Sequence, residues 1–194
     1  MKVPGVFDTS FDPPEELVGT AVLVPGTAYP PPAPLLFFTG LALLQHGWRV
    51  VHHWWDPPKR WLKPAEAEAW VRDQVTGALP GSGRVLVVGK SLGTWAAPVA
   101  AARALPSIWL TPLLDQEPLV SGIAANGAPQ LLIGGTADQL WDREVARRLE
   151  SETCRVVEIT DADHGILVPG DLVRGVEKHV EVAQAVVDWL AALS

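Results

Sequence analysis

A serine, an aspartate and a histidine stand in three short segments whose surroundings suit nucleophilic catalysis. Ser91 lies in Gly89-Lys90-Ser91-Leu92-Gly93, directly after the apolar run Val85-Leu86-Val87-Val88 and before an alanine-rich stretch. That order predicts a strand, a sharp turn and a helix, with the serine at the apex of the turn. Side chains at positions 89 and 93 would block so close an approach of strand and helix, which accounts for the two glycines. Such a turn lifts the hydroxyl clear of the sheet, beside helix N–H groups that can stabilise an anion. A hydroxyl is a poor nucleophile at neutral pH and needs a base within hydrogen-bond reach. Of the five histidines, His164 is the candidate, in Asp161-Ala162-Asp163-His164-Gly165 between the last predicted strand and the last predicted helix. His46 falls at a helix end, His52 and His53 at a strand end, and His179 within a helix. The base needs a carboxylate to hold its tautomer and stabilise the imidazolium. Asp138, in Gly134-Gly135-Thr136-Ala137-Asp138, is favoured for this. Asp142 is the fallback acid and the expected cap of a helix starting at Arg143. Asp161 and Asp163 stand too near His164 in sequence for easy triad geometry, though they could orient its loop.

The elements that must hold these residues alternate along the chain. Apolar, β-branched runs predict strands at Thr20–Val24, Arg49–His53, Val85–Val88, Ser107–Thr111, Gln130–Ile133 and Arg155–Ile159. Helical stretches are predicted at Pro34–His46, Ala65–Thr76, Leu92–Ala104, Arg143–Glu150 and Val176–Leu193. In the last, Val176, Val180, Ala183, Val187 and Leu190 form the expected apolar stripe. A segment at Val6–Phe11 could add an antiparallel edge strand. The pattern is that of an α/β fold, a doubly wound, mostly parallel sheet of about six to eight strands with helices on both faces. No linker divides residues 1–194, so a single domain is expected. Ser91, Asp138 and His164 each follow the carboxyl end of a strand, the edge at which open α/β sheets bind ligands. Between Pro112 and Pro129 there is room for one crossover helix and none for a separate cap.

The chain order Ser91, Asp138, His164, with each residue after its own strand, resembles the α/β-hydrolase superfamily over nearly the whole length. The resemblance implies an α/β-hydrolase fold without a cap domain and a triad in which Ser91 attacks, His164 shuttles the proton and Asp138 orients it. Acyl transfer also needs donors aimed at the oxyanion. One is the backbone N–H of Leu92, just after the nucleophile. The other, by resemblance, comes from Pro25-Gly26-Thr27-Ala28-Tyr29, where proline stands in place of the family's usual histidine. Thr27 is the expected donor and Ala28 the alternative. Lys90 resembles the Gly-Lys-Ser-x-Gly elbow of some small hydrolase-like proteins in the superfamily. Its stem is expected to pack across loops, with its ammonium meeting a carboxylate or solvent.

Bulk composition narrows the remaining choices. A net charge of −7 with no basic cluster argues against a nucleic-acid surface. The absence of a long apolar run argues against a membrane span. A lone cysteine, Cys154, cannot form an internal disulfide, and the first residues lack the apolar core of a signal peptide. A cytoplasmic location is therefore expected. His52 and His53 are adjacent on a strand and point to opposite faces, so no metal site is expected there, and no cofactor is called for. Nine tryptophans stand against one tyrosine. Trp54, Trp55 and Trp141 lie near the active edge and are candidates for an aromatic wall around the substrate, with core packing as the competing role. The expected function is hydrolysis of a carboxylic ester or thioester of a small to medium acyl group, with that small-molecule acyl compound as the partner. The alternatives are a non-catalytic hydrolase-like binding module and an acyl-transferase or cyclase using the same site.

Overall fold

Val85-Leu86-Val87-Val88 is apolar without alternation because both of its faces are covered. Odd positions face one core layer, with Val22, Val71, Trp95, Trp109 and Leu119. Even positions face another, with Leu23, Leu36, Ile108, Ile133 and Val186. The computed structural model describes residues 17–60 and 62–193. The edge strand expected at Val6–Phe11 lies outside the described residues.

The elements run β1 (Gly19–Val24), α1 (Pro34–Gln45), β2 (Trp48–His52), α2 (Pro64–Ala78) and β3 (Val85–Lys90), followed by a 3-10 turn (Ser91–Ala96). They continue with α3 (Ala97–Ala102), β4 (Ser107–Leu110), α4 (Glu117–Ala125), β5 (Gln130–Gly135), α5 (Arg143–Leu149), β6 (Cys154–Ile159) and α6 (Leu172–Ala192). The strands form a six-stranded sheet in the order β2-β1-β3-β4-β5-β6, with every pairing parallel. Helices α1 and α6 cover one face; α2, α3, α4 and α5 cover the other. The order reverses between β1 and β3, whose carboxyl ends therefore lead away to opposite faces. The crevice left between them is the natural ligand site of such a sheet.

Two helices differ from expectation. The segment predicted as one helix over Leu92–Ala104 opens as a 3-10 turn and becomes α-helical only at Ala97. Pro98 lacks an N–H and sits in the first turn of α3, where none is needed. Helix α6 begins at Leu172, earlier than predicted, because Asp171 caps it by accepting the Arg174 N–H at 3.1 Å. Its buried residues are Gly175, His179, Val182, Ala185, Val186, Trp189 and Leu190, so of the predicted stripe Leu190 is buried while Val176 and Val180 are exposed. Burial of a glycine and a histidine rotates the stripe by about one residue from the one that aliphatic spacing alone selects. The crossover between β4 and β5 holds the single short helix α4. Among the described residues no helix is long and apolar enough to cross a membrane.

Candidate active site

Ser91 has φ 51°, the left-handed conformation that the strand-to-helix turn imposes. The turn is tight because its glycines touch backbone. A β-carbon on Gly89 would stand 2.6 Å from the Gly93 carbonyl oxygen, and one on Gly93 would overlap the Val24 oxygen. Thr94 secures the turn from below, its hydroxyl donating to the Ser91 carbonyl at 2.6 Å. This packing brings the start of the 3-10 turn against the end of β1, whose next residues are the Gly26–Tyr29 turn.

The three candidate catalytic side chains meet at the carboxyl edge. His164 Nε2 lies 2.9 Å from Ser91 Oγ, and His164 Nδ1 lies 2.7 Å from Asp138 Oδ2. A carboxylate only accepts, so Nδ1 carries the imidazole proton and Nε2 is left to accept from the serine hydroxyl. The Asp138 side chain is buried, while His164 stays partly open to solvent. Asp142, the fallback acid, instead caps α5 by accepting the Glu144 and Val145 N–H groups at 2.8 and 3.0 Å.

The loops bearing Asp138 and His164 are stitched together. Ala137 N–H donates to the Ala162 carbonyl at 2.9 Å, and Asp161 N–H donates to the Thr136 hydroxyl at 2.9 Å. Gly135 allows the contact, since a β-carbon there would overlap the Ala162 oxygen. Asp163 braces the histidine loop, with Oδ1 accepting from the Gly165 and Leu167 N–H groups. Backbone strain collects along this edge: besides Ser91, Thr111, Asp161 and Ile166 hold positive φ.

Leu92 follows Ser91 in the first turn, where N–H groups lack intrahelical acceptors. Thr27 and Ala28 are both exposed in the turn after β1, which closes through Gly26 N–H to the Tyr29 carbonyl at 3.1 Å. A cleft of about 190 Å³ opens beside this turn, lined by its residues together with Pro30, Pro31, Trp54 and Trp55. Trp55 is anchored: its indole N–H donates to the Gly26 carbonyl at 3.2 Å and its ring packs, tilted, against Trp70. Trp54 is 59% exposed and presents its ring to solvent. Trp141 is corrected from wall to core. It is 7% exposed, packs against Gly134 and donates to Glu158 at 2.9 Å.

Two residues gain a place that their sequence did not predict. Tyr29, the chain's one tyrosine, accepts the Leu35 N–H at 2.9 Å through its hydroxyl; its position among prolines was the available signal. Lys90 does not pair with a carboxylate. Its ammonium lies over the Tyr29 ring, 4.8 Å from the centroid. His52 and His53 point apart, one toward Gly40 and the other edge-on to Trp55. Among the described residues no cluster of histidine, cysteine or carboxylate groups could hold a metal.

No family model matches the chain, and no curated protein matches it. Solved structures do. An alpha-beta serine hydrolase homologue from Coxiella burnetii is similar at 16% identity and TM-score 0.61, covering 90% of this chain and 87% of that one. A serine hydrolase without a lid from Xanthomonas campestris is similar at 17% identity and TM-score 0.56, covering 91% and 85%. A monoacylglycerol lipase from Paleococcus ferrophilus is similar at 17% identity and TM-score 0.61, covering 88% and 94%. Parallel sheet, strand order and these likenesses together establish that the chain has the α/β-hydrolase fold.

Proposed function

We propose that the protein is a serine hydrolase that cleaves a carboxylic ester or thioester of a small to medium acyl group. The observation that carries this reading is the unbroken hydrogen-bond path from Ser91 Oγ through both nitrogens of His164 to Asp138. In this mechanism His164 Nε2 takes the Ser91 proton as Oγ attacks the carbonyl carbon. The tetrahedral oxyanion is met by the N–H groups of Leu92 and Thr27. The imidazolium, stabilised by Asp138, then protonates the departing alcohol or thiol and leaves an acyl-serine. Water deprotonated by His164 attacks that acyl group, and Ser91 leaves with its proton restored. Trp54 and Trp55 offer apolar surface to one side of the ester. The β4–β5 crossover holds only the short helix α4, which favours an open site reached by water.

A fluorophosphonate probe tests the reading, because it traps an activated serine and ignores an ordinary one. Wild type should label and turn over p-nitrophenyl esters, and Ser91→Ala should do neither. Folded wild type that resists labelling would overturn this reading in favour of a binding module. Product carried to an added alcohol or amine in preference to water would instead indicate an acyl-transferase or cyclase.

A further inference from the structure

Lys90 is 2% exposed, although it carries a charge beside the nucleophile. Among the described residues its ammonium has neither an ion-pair partner nor a hydrogen-bond acceptor. Taking most of an ammonium's surroundings out of water without such partners is costly, even though Nζ is not among the fully enclosed unpartnered atoms. Burial accordingly pushes its pKa down to about 8, against the pull of the Asp138 and Asp163 charges. A methionine or leucine would fill the same space without that penalty, so the charge calls for a separate account.

The geometry supplies one. Lys90 ends β3, and alternation turns its side chain to the face covered by α1 and α6, opposite Gly89. Its stem passes along the turn after β1. A β-carbon on Gly26 would stand 3.3 Å from Lys90 Cδ and 3.4 Å from the Lys90 carbonyl oxygen. Beyond Gly26 the ammonium meets the Tyr29 ring at 4.8 Å, within cation–π range. Tyr29 is fixed in turn by the Leu35 N–H and by the bond that closes the turn at Gly26. From the opposite side Trp55 grips the Gly26 carbonyl. The turn bearing Thr27 is therefore held at both ends, and Lys90, the last residue of β3, is the hold directly bonded to Ser91 along the chain.

We propose that Lys90 is a positioning residue, coupling the nucleophile strand to the Gly26–Tyr29 turn so that the Thr27 N–H points where the oxyanion forms. This rests on the reading of Ser91 as the nucleophile. The coupling works through the charge as well as the bulk of the side chain, since only a cation is drawn to the face of the ring. Three titratable groups act on the ammonium: Tyr29 from the turn, Asp138 from the β5 loop and Asp163 from the β6 loop. Tyr29 is pushed up to about 12 by burial and stays neutral through the range concerned. As pH rises past about 8 the ammonium loses its proton, the attraction to Tyr29 disappears, and kcat should fall.

The test measures kcat and KM on p-nitrophenyl acetate, with fluorophosphonate labelling rates, for wild type, Lys90→Met, Lys90→Arg, Tyr29→Leu and the Lys90→Met/Tyr29→Leu pair. Loss of an oxyanion donor costs roughly 100-fold or more, and misplacing one costs less. Lys90→Met should thus lower kcat about 10-fold to 100-fold with KM changed less than about threefold. Lys90→Arg should restore most of the rate. Tyr29→Leu should repeat the defect, and the pair should be no slower than either single variant. Wild type should lose kcat above pH about 8, and Lys90→Met should be flat there. A wild type that labels and turns over while Lys90→Met matches it, or whose double variant is fully additive, overturns the positioning role alone. A wild type that neither labels nor turns over overturns the nucleophile as well. Should Lys90→Met fail to fold, the wild-type alkaline profile and the Lys90→Arg rate decide, and a profile flat through pH 8 overturns the proposal.

Discussion

Asp138 divides its carboxylate, giving Oδ2 to His164 Nδ1 at 2.7 Å and Oδ1 to the Leu140 N–H at 2.9 Å. The second bond locks the carboxylate plane, so the first meets the imidazole in one orientation. An asparagine could keep the Leu140 bond through its carbonyl, which makes Asp138→Asn a clean probe. Its amide N–H₂ would face Nδ1 and force the proton onto Nε2, leaving the serine with no acceptor. We predict a folded variant with kcat reduced about 10⁴-fold. Steady-state kinetics beside a melting curve checks it, and a variant within about 10-fold of wild type would argue against His164 as the base.

Gly93→Ala should damage both stability and rate. The new β-carbon would overlap the Val24 oxygen and stand 2.7 Å from the Pro25 oxygen, neither of which can swing away. Overpacking of this kind costs about 1–3 kcal/mol. The displaced atoms lead straight into the turn carrying Thr27, so fluorophosphonate labelling should slow even at temperatures where the variant remains folded. Labelling at the wild-type rate would show that the turn absorbs the shift.

Stability and activity should part company at Lys90. Its folded pKa, about 8, lies below the ordinary lysine value of 10.5, so the unfolded chain binds the proton more tightly. The sign follows: the destabilisation is fully present below pH 8 and is relieved as pH rises toward 10.5. Its size is on the order of 3 kcal/mol, partly offset by about 1 kcal/mol of cation–π attraction. Lys90→Met should therefore melt higher than wild type at neutral pH, by roughly 1–3 kcal/mol in stability, with the gap closing in alkali. Denaturant titration across pH measures it. A variant less stable at neutral pH would mean that the ammonium is better solvated than its 2% exposure implies.

Cys154 should be inert to alkylation in the native state. It is buried at the start of β6, and burial with the nearby Glu150 charge pushes its thiol up to about 12. Iodoacetamide labelling should track global unfolding in denaturant. Rapid modification of native protein would place β6 among the loosely held strands.

Much of this arrangement was legible because the deciding signals are local. Strands such as Val85–Lys90 announce themselves as unbroken apolar runs, and Gly89 and Gly93 mark the turn that exposes Ser91. The order of Ser91, Asp138 and His164 followed from strand ends alone. Contacts made across the fold were not legible. Trp141 reads as an active-edge aromatic until Gly134 is seen beneath its ring. His179 reads as polar until its Nδ1 is found 2.9 Å from the Gly175 carbonyl, which lets the ring join the buried stripe of α6. The sequence points the Lys90 ammonium to a carboxylate or solvent, and the structure sets it over the ring of Tyr29, from the loop after the neighbouring strand β1.

The positive-φ residues define a division of labour for variant libraries. Ser91, Thr111, Asp161 and Ile166 cluster where strands end, and two of them are β-branched, the residue class that tolerates this conformation least. Ala104, with φ 48°, sits at the opposite edge, between α3 and β4. A selection for heat resistance should accept glycine at Ala104 readily, since relief of strain there moves nothing near Ser91. Glycine at Thr111 or Ile166 would relax the ground that Asp138 and His164 stand on. Thermostable clones recovered from such a library should sort by edge: those altered beneath the sheet keep their rate, and those altered above it trade rate for robustness.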